Sequence, residues 1–443
     1  MLILDDSAHG LRKILKTKQI DHCLVIEPHE NSCYAELVTN AKSLHIRKFS
    51  CTWLFRIWEN NGMEKGPSTL SAVLEGLREG RPFEGLPSVS ISKLNAKTAG
   101  PFDLRFELKS GSNRVFVLGE VKTYVTPKQL EEVSPWIARL KSLQPETAVA
   151  IIAPYMSPQA QKFCIENAID FIDLAGNLSI NVPGKFTLQR LGVRGKSESA
   201  ARENTRIQNV YSGKASRVLR VLLQTPRTWN LTTLGNELAI ETRANPFVSA
   251  VSDVSRGTFE ISLGSISKAL STLEQELWIR RRNSAIVIPE PIRLLSQWAE
   301  KYKERYRWRL RGSFTCTNPF GAEPRSVAES LNRIAPGQFA FTGAAAASLR
   351  APFVDIDKID LFVNSPETGV RIREMSVGQG VGPSIRVSSP YDFGVFMYAR
   401  YEGNVPVVSD VQSYLDLFSR GGRDLKQAQY LLQNRIQENW KAV

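Results

Sequence analysis

The chain has few histidines and cysteines, and it lacks long apolar runs. All four histidines occur by His45, so a catalytic histidine is excluded from the remainder of the chain. The five scattered cysteines are odd in number and do not suggest a disulfide framework, so we expect reduced thiols. No run of about eighteen apolar residues occurs, which predicts no membrane span. The first residues lack the basic-then-apolar layout of a secretory signal, so we expect a cytoplasmic protein.

Positive charge is the most informative property of the composition. The 443 residues include 57 lysines and arginines against 44 aspartates and glutamates, a formal net charge of +13. This excess favours a polyanionic partner, and double-stranded DNA is the one we expect. The length suggests about three domains at roughly 150 residues each.

Residues 101–124 predict a β-hairpin with a charged face. Apolar-rich strands at 102–109 and 114–123 flank a Gly111-Ser112 step that suits a type II′ turn. This register places Asp103 opposite Glu120. Because side chains alternate along a strand, Glu120 and Lys122 share a face and Val121 points away.

This convergence of two acids and a lysine has two interpretations. Like charges that face each other across a hairpin repel, and a cation bound between them would explain the arrangement. Asp103, Glu120 and the Val121 carbonyl would then hold Mg²⁺, while Lys122 would position a phosphate or an attacking water, as in a metal-dependent phosphodiesterase. The alternative is an ordinary hairpin with a solvated charged face.

The flanking segments favour the first interpretation. A helix, the buried strand at 148–155, a second helix and a further strand follow the hairpin. This order resembles the restriction-endonuclease-like core of the PD-(D/E)xK superfamily, with Phe102-Asp103 in place of Pro-Asp and Glu120-Val121-Lys122 as E-x-K. We assign this domain to residues 66–190. A preceding helix carries Glu75 and Glu79, either of which could add an acid to the site, although we favour a solvated helix face as the explanation for both.

Residues 215–290 predict a winged helix-turn-helix after a basic linker at 191–214. Two short helices, a third helix at 262–279 and a basic hairpin occur in this order. The polar face of the third helix and the tip of the hairpin are the predicted DNA contacts. The alternative is a three-helix packing or dimerisation module. The candidate DNA-binding residues are Ser265, Lys268, Ser271, Thr272, Arg280, Arg281 and Arg282.

The remaining segments carry no predicted chemistry. Residues 1–65 predict an α+β segment without an assigned role, with helices at 11–19 and 52–62 and strands at 23–28 and 32–38. Residues 241–260 are predicted as an insertion between the second and third helices. Residues 291–312 predict a helix of alternating basic and aromatic residues, which either grips nucleic acid or packs its aromatic rings inward. Residues 313–443 predict an α+β domain without a phosphate loop or metal-ligand spacing. Gly343 and the four alanines after it suit a helix packed closely against a sheet, and Gly421-Gly422 separates two predicted helices.

Several segments together resemble the AbiEi-like family of type IV antitoxins and transcriptional regulators, which carry an endonuclease-like domain before a winged helix. The resemblance covers about residues 100–435 and includes the DLAGN element at 173–177 and the QSYLDL-GGR element at 412–423. It implies an α+β AbiEi-like C-terminal domain, promoter binding, and antagonism of a nucleotidyltransferase-like toxin encoded nearby. It does not extend to residues 1–65 or to the insertion at 241–260.

Two functions therefore compete. In the first, the protein is a DNA-binding transcriptional regulator of antitoxin type. In the second, it is a Mg²⁺-dependent DNA endonuclease that its winged helix targets to DNA. In either case we expect a multidomain protein with α/β and α-helical domains.

Overall fold

The computed structural model describes residues 67–96, 102–193, 209–243, 245–249, 260–306 and 313–441, together with three strands before residue 50. The chain divides into two compact units, residues 1–205 and 206–443. In the described residues no helix is long and apolar enough to cross a membrane.

Three antiparallel strands occupy the first segment: β1 (Cys23–His29), β2 (Ser32–Thr39) and β3 (Lys42–Phe49). The strands predicted at the start of this segment correspond to β1 and β2. The helices predicted at 11–19 and 52–62 lie outside the described residues.

A seven-stranded mixed sheet forms the centre of the first unit, in the order β10-β9-β8-β7-β6-β5-β4. Strands β8, β9 and β10 form an antiparallel meander, and β6, β7 and β8 run parallel. The pairs β6–β5 and β5–β4 are antiparallel. The elements in chain order are α1 (Pro67–Arg78), β4 (Val89–Ala96), β5 (Leu104–Ser110), β6 (Asn113–Val121), α2 (Pro127–Leu143), β7 (Thr147–Ala153), α3 (Pro158–Glu166), β8 (Asp170–Asp173), β9 (Leu178–Val182) and β10 (Phe186–Arg190).

Helices cover both faces of this sheet, because β7 is apolar on both sides. Ala148, Ala150 and Ile152 join the core beneath α1, while Val149 and Ile151 alternate into the core beneath α2 and α3. The predicted buried strand is thus confirmed. A capping box between Thr126 and Gln129 begins α2, with reciprocal hydrogen bonds of 3.2 and 3.0 Å.

The second unit opens with three helices, a single helical turn and a short hairpin, and the three helices and the hairpin follow the predicted order. They are α4 (Ala215–Gln224), α5 (Leu231–Arg243), the single turn α6 (Pro246–Ser249), α7 (Leu263–Gln275), β11 (Arg280–Arg282) and β12 (Ala285–Val287). An isolated antiparallel bridge between Trp229 and Ile286 adds a third strand position to the hairpin. Residues 241–243 of the predicted insertion continue α5. Residue 244, residues 250–259 and much of the predicted linker lie outside the described residues.

The basic aromatic segment, of which residues 291–306 are described, packs its aromatic rings inward. The interpretation that these rings grip nucleic acid is therefore wrong for the described part. Helix α8 (Pro291–Glu304) buries Trp298 and Tyr302, and Tyr306 follows in a buried position. Trp308 lies outside the described residues.

The C-terminal part contains a six-stranded mixed sheet in the order β13-β16-β15-β14-β18-β17. As predicted, the small residues of α10 pack closely, since Gly343 and the four alanines after it are all buried. The predicted break at Gly421 separates α12 from α13, with φ of 73° at that glycine. The elements are β13 (Phe314–Cys316), α9 (Pro324–Ile334), β14 (Phe339–Thr342), α10 (Gly343–Ser348), β15 (Lys358–Val363), α11 (Pro366–Met375), β16 (Ser384–Ser388), β17 (Arg400–Glu402), β18 (Val405–Val407), α12 (Asp410–Arg420), α13 (Gly422–Leu431), a π-helical turn at Leu432–Ile436 and α14 (Gln437–Lys441).

One hydrophobic core joins the helix–hairpin segment to the C-terminal helices. Side chains from α4, α7 and α8 share this cluster with residues of α10, α12 and α13. At its centre the carboxylate of Asp416 accepts hydrogen bonds from Tyr302 and Thr342, both at 2.6 Å, and from Gln412 at 2.8 Å. Burial raises the pKa of Asp416, and the three donors oppose this rise. This network ties α8 and α12 together.

Gly119 in β6 lies in a tightly packed position of the first core. A Cβ at this residue would lie 2.5 Å from Leu104 Cδ1 and 2.6 Å from Ile152 Cδ1. We expect Gly119→Ala to lower the free energy of unfolding by about 1–3 kcal/mol, because overpacking displaces both side chains. Gly264→Ala is the control, since the nearest side-chain atom to its Cβ would be 3.9 Å away. Denaturant unfolding that finds both variants equally stable would contradict this packing.

Candidate functional site

The hairpin register brings Asp103 to the end of β6, as predicted. The structure pairs Ser110 with Asn113 and Leu104 with Gly119, and the pairing continues because the Asp103 amide donates to the Gly119 carbonyl at 3.1 Å. Asp103 Oδ2 accepts a hydrogen bond of 2.8 Å from the Val121 amide. The half-buried Asp103 carboxylate is thus held against the Glu120–Lys122 segment.

Glu120 and Lys122 form a buried ion pair on the face opposite Val121. Lys122 Nζ lies 2.8 Å from Glu120 Oε1, and the side chains of Lys122 and Glu120 are 1% and 3% exposed. Val121 points into the core beneath α1, which confirms the predicted alternation. The Lys122 amide donates to the Ile152 carbonyl at 2.9 Å, so β7 supports the site from the other edge. The predicted triad therefore converges on one end of the sheet.

The donor atoms here fit a hard cation. Two carboxylates and a backbone carbonyl are the oxygen ligands that Mg²⁺ prefers. In the described part of the chain, no group of three or more histidine, cysteine, aspartate or glutamate side chains could hold a metal ion. A cation would therefore rely on Asp103, Glu120 and the Val121 carbonyl, with water or substrate oxygens completing its shell.

Helix α1 approaches the site with its N-terminal end, not with its acids. Thr69 Oγ1 lies 2.9 Å from Thr123 Oγ1, next to Lys122. At about 1.5 Å per residue, Glu75 and Glu79 lie roughly 9 and 15 Å further along the helix. Both are exposed, and Glu79 pairs with Arg81. The structure supports the interpretation of these two acids as a solvated helix face.

The DLAGN element forms a turn rather than a catalytic site. The Asp173 carboxylate accepts from the Asn177 amide at 2.8 Å and from the Asn177 side chain at 3.0 Å. Asn177 in turn bonds the Val193 backbone in both directions. Burial raises the pKa of Asp173, which these hydrogen bonds counteract. The motif therefore fastens the end of β10 to the β8–β9 turn.

Helix α7 presents only part of its predicted DNA-contacting set. Lys268 and Ser271 are exposed, and Ser265 is half-buried beside the N-cap, with its hydroxyl 3.0 Å from Ser262 Oγ. Thr272 is 7% exposed and packs within the helical core, so its prediction as a surface contact is wrong. Its position lies too close to the apolar stripe of Ala269 and Leu273 to reach solvent.

The basic hairpin exposes its three arginine positions, but one of them is neutralised. Arg281 donates to Glu274 Oε2 from Nε at 2.7 Å and pairs with it through Nη2 at 2.6 Å. Arg280 and Arg282 are exposed along the same strand. The ion pair with Glu274 offsets part of the positive charge that Arg281 brings to this hairpin.

Comparisons with known proteins add little to this geometry. No family model matches the chain, and no curated protein matches it. A solved structure described as EndoMS in apo form matches 34% of this chain and 64% of its own chain, at 9% identity and a TM-score of 0.15. The match spans less than two thirds of that protein. This TM-score is too low to support a conclusion about fold or function.

Removing the ammonium from the buried pair should destabilise the first unit. Lys122→Met leaves the Glu120 carboxylate covered without its cation, which we expect to cost about 3–5 kcal/mol. Adding Glu120→Gln to this variant should restore much of the stability, because no buried charge remains. The measurement is denaturant unfolding of both variants and the parent. Equal stability of the single and double variants would show that the pair is not buried as described.

Proposed function

We propose that this protein is a DNA-binding regulator that contacts duplex DNA through a winged helix at residues 215–290. The observation that carries the proposal is the exposed basic surface of α7 and its hairpin. Helix α7 buries Ile266, Leu270 and Leu273 while Lys268 and Ser271 face solvent. A helix with a short, polar, positively charged face suits the major groove.

The hairpin extends this surface with a second basic element. Arg280 and Arg282 are exposed, and the Trp229–Ile286 bridge anchors the opposite strand to the core. A rigid hairpin that carries arginine can contact the phosphate backbone beside the groove that a recognition helix occupies. The antitoxin role, operon repression and a nucleotidyltransferase-like toxin partner stay predictions from the family resemblance.

Neutralising this surface should weaken DNA binding. We expect Lys268→Gln, Arg280→Gln and Arg282→Gln together to lower affinity for a labelled duplex. The slope of log K against log salt should also become shallower by about 0.9 for each phosphate that the protein no longer neutralises. Fluorescence anisotropy at several salt concentrations measures both effects.

The control removes the same charge elsewhere in the second unit. Arg423, Lys426 and Lys441 are exposed on α13 and α14, and changing all three to glutamine should leave the salt slope unchanged. Equal slopes for the two triple variants would argue against a DNA contact at α7 and its hairpin.

A second candidate function is hydrolysis of DNA at the first unit. The convergence of Asp103, Glu120 and Lys122 favours it, since a hairpin needs no such set for folding. Asp103 and Glu120, with the Val121 carbonyl, would hold Mg²⁺. A bound Mg²⁺ would neutralise charge on the phosphate and lower the pKa of a water molecule. Lys122 would leave its pair with Glu120 to contact the scissile phosphate or orient the attacking water.

Incubation of supercoiled plasmid with the full-length protein and Mg²⁺ tests this candidate. We expect nicking by the parent and a decrease of at least about a hundredfold in Lys122→Ala, in line with removal of one charge-stabilising group. Asp103→Asn is a second variant less prone to misfolding, because its amide oxygen can still accept from the Val121 amide.

Glu166→Gln on the exposed side of α3 is the control and should nick as the parent does. If the parent protein does not nick the plasmid, hydrolysis is ruled out and the regulator function stands, with the first unit as a DNA-docking surface. If Lys122→Ala and Asp103→Asn both still nick the plasmid, the hydrolysis does not take place at this site.

A further inference from the structure

A row of basic side chains lies beside the candidate site, on the same face of the sheet. We call this row the basic ledge; it consists of Lys93, Arg105, Lys109 and Arg114. Alternation along β5 and β6 puts Arg105 and Lys109 on the face of Asp103, and Arg114 on the face of Glu120. Lys93, Arg105 and Arg114 are exposed, and Lys109 is partly exposed.

The ledge is built around one covered carboxylate and one aromatic ring. Glu107 is 4% exposed and lies 3.6 Å from Lys93 Nζ and 3.8 Å from Lys109 Nζ. A hydrogen bond of 2.9 Å from Ser92 lowers the pKa of Glu107, and the two lysines lower it further. Two of the four cationic side chains thus share one carboxylate, and the ledge as a whole stays positively charged.

Phe116 holds two of these cations in place. The Arg105 guanidinium lies 4.6 Å and the Lys93 ammonium 5.5 Å from the centroid of its ring. These cation–π contacts orient the two head groups above the sheet without removing their charge. The Lys93 side chain is still 63% exposed and the Lys109 side chain 41% exposed, so both remain accessible to a ligand.

The backbone at Lys93 is strained in a way that serves this arrangement. A β-bulge interrupts the β4–β5 pairing between Ser92 and Asn95, and Lys93 has φ of 53°. A non-glycine residue rarely adopts this left-handed conformation, and bulges commonly redirect a side chain beside a functional site. Glycine would relieve the strain, yet the chain carries a lysine there. The bulge therefore aims a charge over Phe116.

We propose that the basic ledge binds the phosphate backbone of the DNA strand that enters the Asp103–Glu120–Lys122 site. This inference rests on the second candidate function and names the element that holds its substrate. From Asp103 to Lys109 the strand extends roughly 20 Å at 3.4 Å per residue. That length matches about six phosphates of one strand along a duplex axis. Basic side chains along this row suit a polyanion better than a compact ligand.

DNA binding without metal separates the ledge from hydrolysis. All proteins carry Lys268→Gln, Arg280→Gln and Arg282→Gln in the full-length chain, so that binding by the second unit is reduced. We expect Lys93→Gln, Arg105→Gln and Lys109→Gln in this background to weaken binding of a labelled duplex at low salt. The salt slope should fall by about 2 to 3, near 0.9 for each phosphate that the ledge neutralises.

The charge-matched control changes Arg139, Lys162 and Lys185 to glutamine, at positions outside the ledge. An affinity and slope equal to those of this control would overturn the proposal. A background protein that no longer binds at low salt would overturn it equally. Because binding is measured without metal, a failure of hydrolysis would not be mistaken for a failure of the ledge.

Lys93→Gly tests the strained position by itself. Because glycine adopts positive φ without strain, this variant should keep or raise the melting temperature while it weakens DNA binding severalfold. Unchanged binding in a fully folded Lys93→Gly protein would show that the bulge has only a structural role.

Discussion

Backbone pairing between β5 and β6 is the constraint on which the first unit depends. With Ser110 opposite Asn113, every later pair follows, and Asp103 arrives beside Glu120 without any other element directing it. A shift of one residue would turn Phe106 and Val117 to the opposite face and expose the core. The same hydrogen bonds that keep the core apolar therefore also assemble the three charged groups.

The charged groups differ in how far they are removed from water. Glu120 and Lys122 are almost completely covered and neutralise one another, while Asp103 is half-buried and is held by a backbone amide. Burying this pair costs desolvation free energy that their mutual attraction offsets only when the geometry is good. The pair is therefore a poor source of stability, and the proposed role of both charges in hydrolysis would account for its presence.

The second unit has a different organisation, because its first helices do not form an independent core. Residues of α4, α7 and α8 pack against α10, α12 and α13, and the hydrogen bonds of Asp416 connect two of these layers. Any regulator function would thus depend on the C-terminal helices for the rigidity of α7. This dependence also explains why Tyr302 and Trp298 are buried, although their segment alternates with basic residues like a nucleic-acid-binding helix.

Local patterns in the sequence determined the hairpin, its register and the order of helices and strands. A turn residue and side-chain alternation act over a few residues, so the meeting of Asp103 with Glu120 follows from the sequence alone. Which groups remain accessible was decided by how the elements pack in three dimensions. Thr272 is buried beside its apolar stripe, Arg281 is paired with Glu274, and Lys93 is redirected by a bulge. Exposure and charge pairing depend on how the elements pack against one another, and only the tertiary structure supplies this.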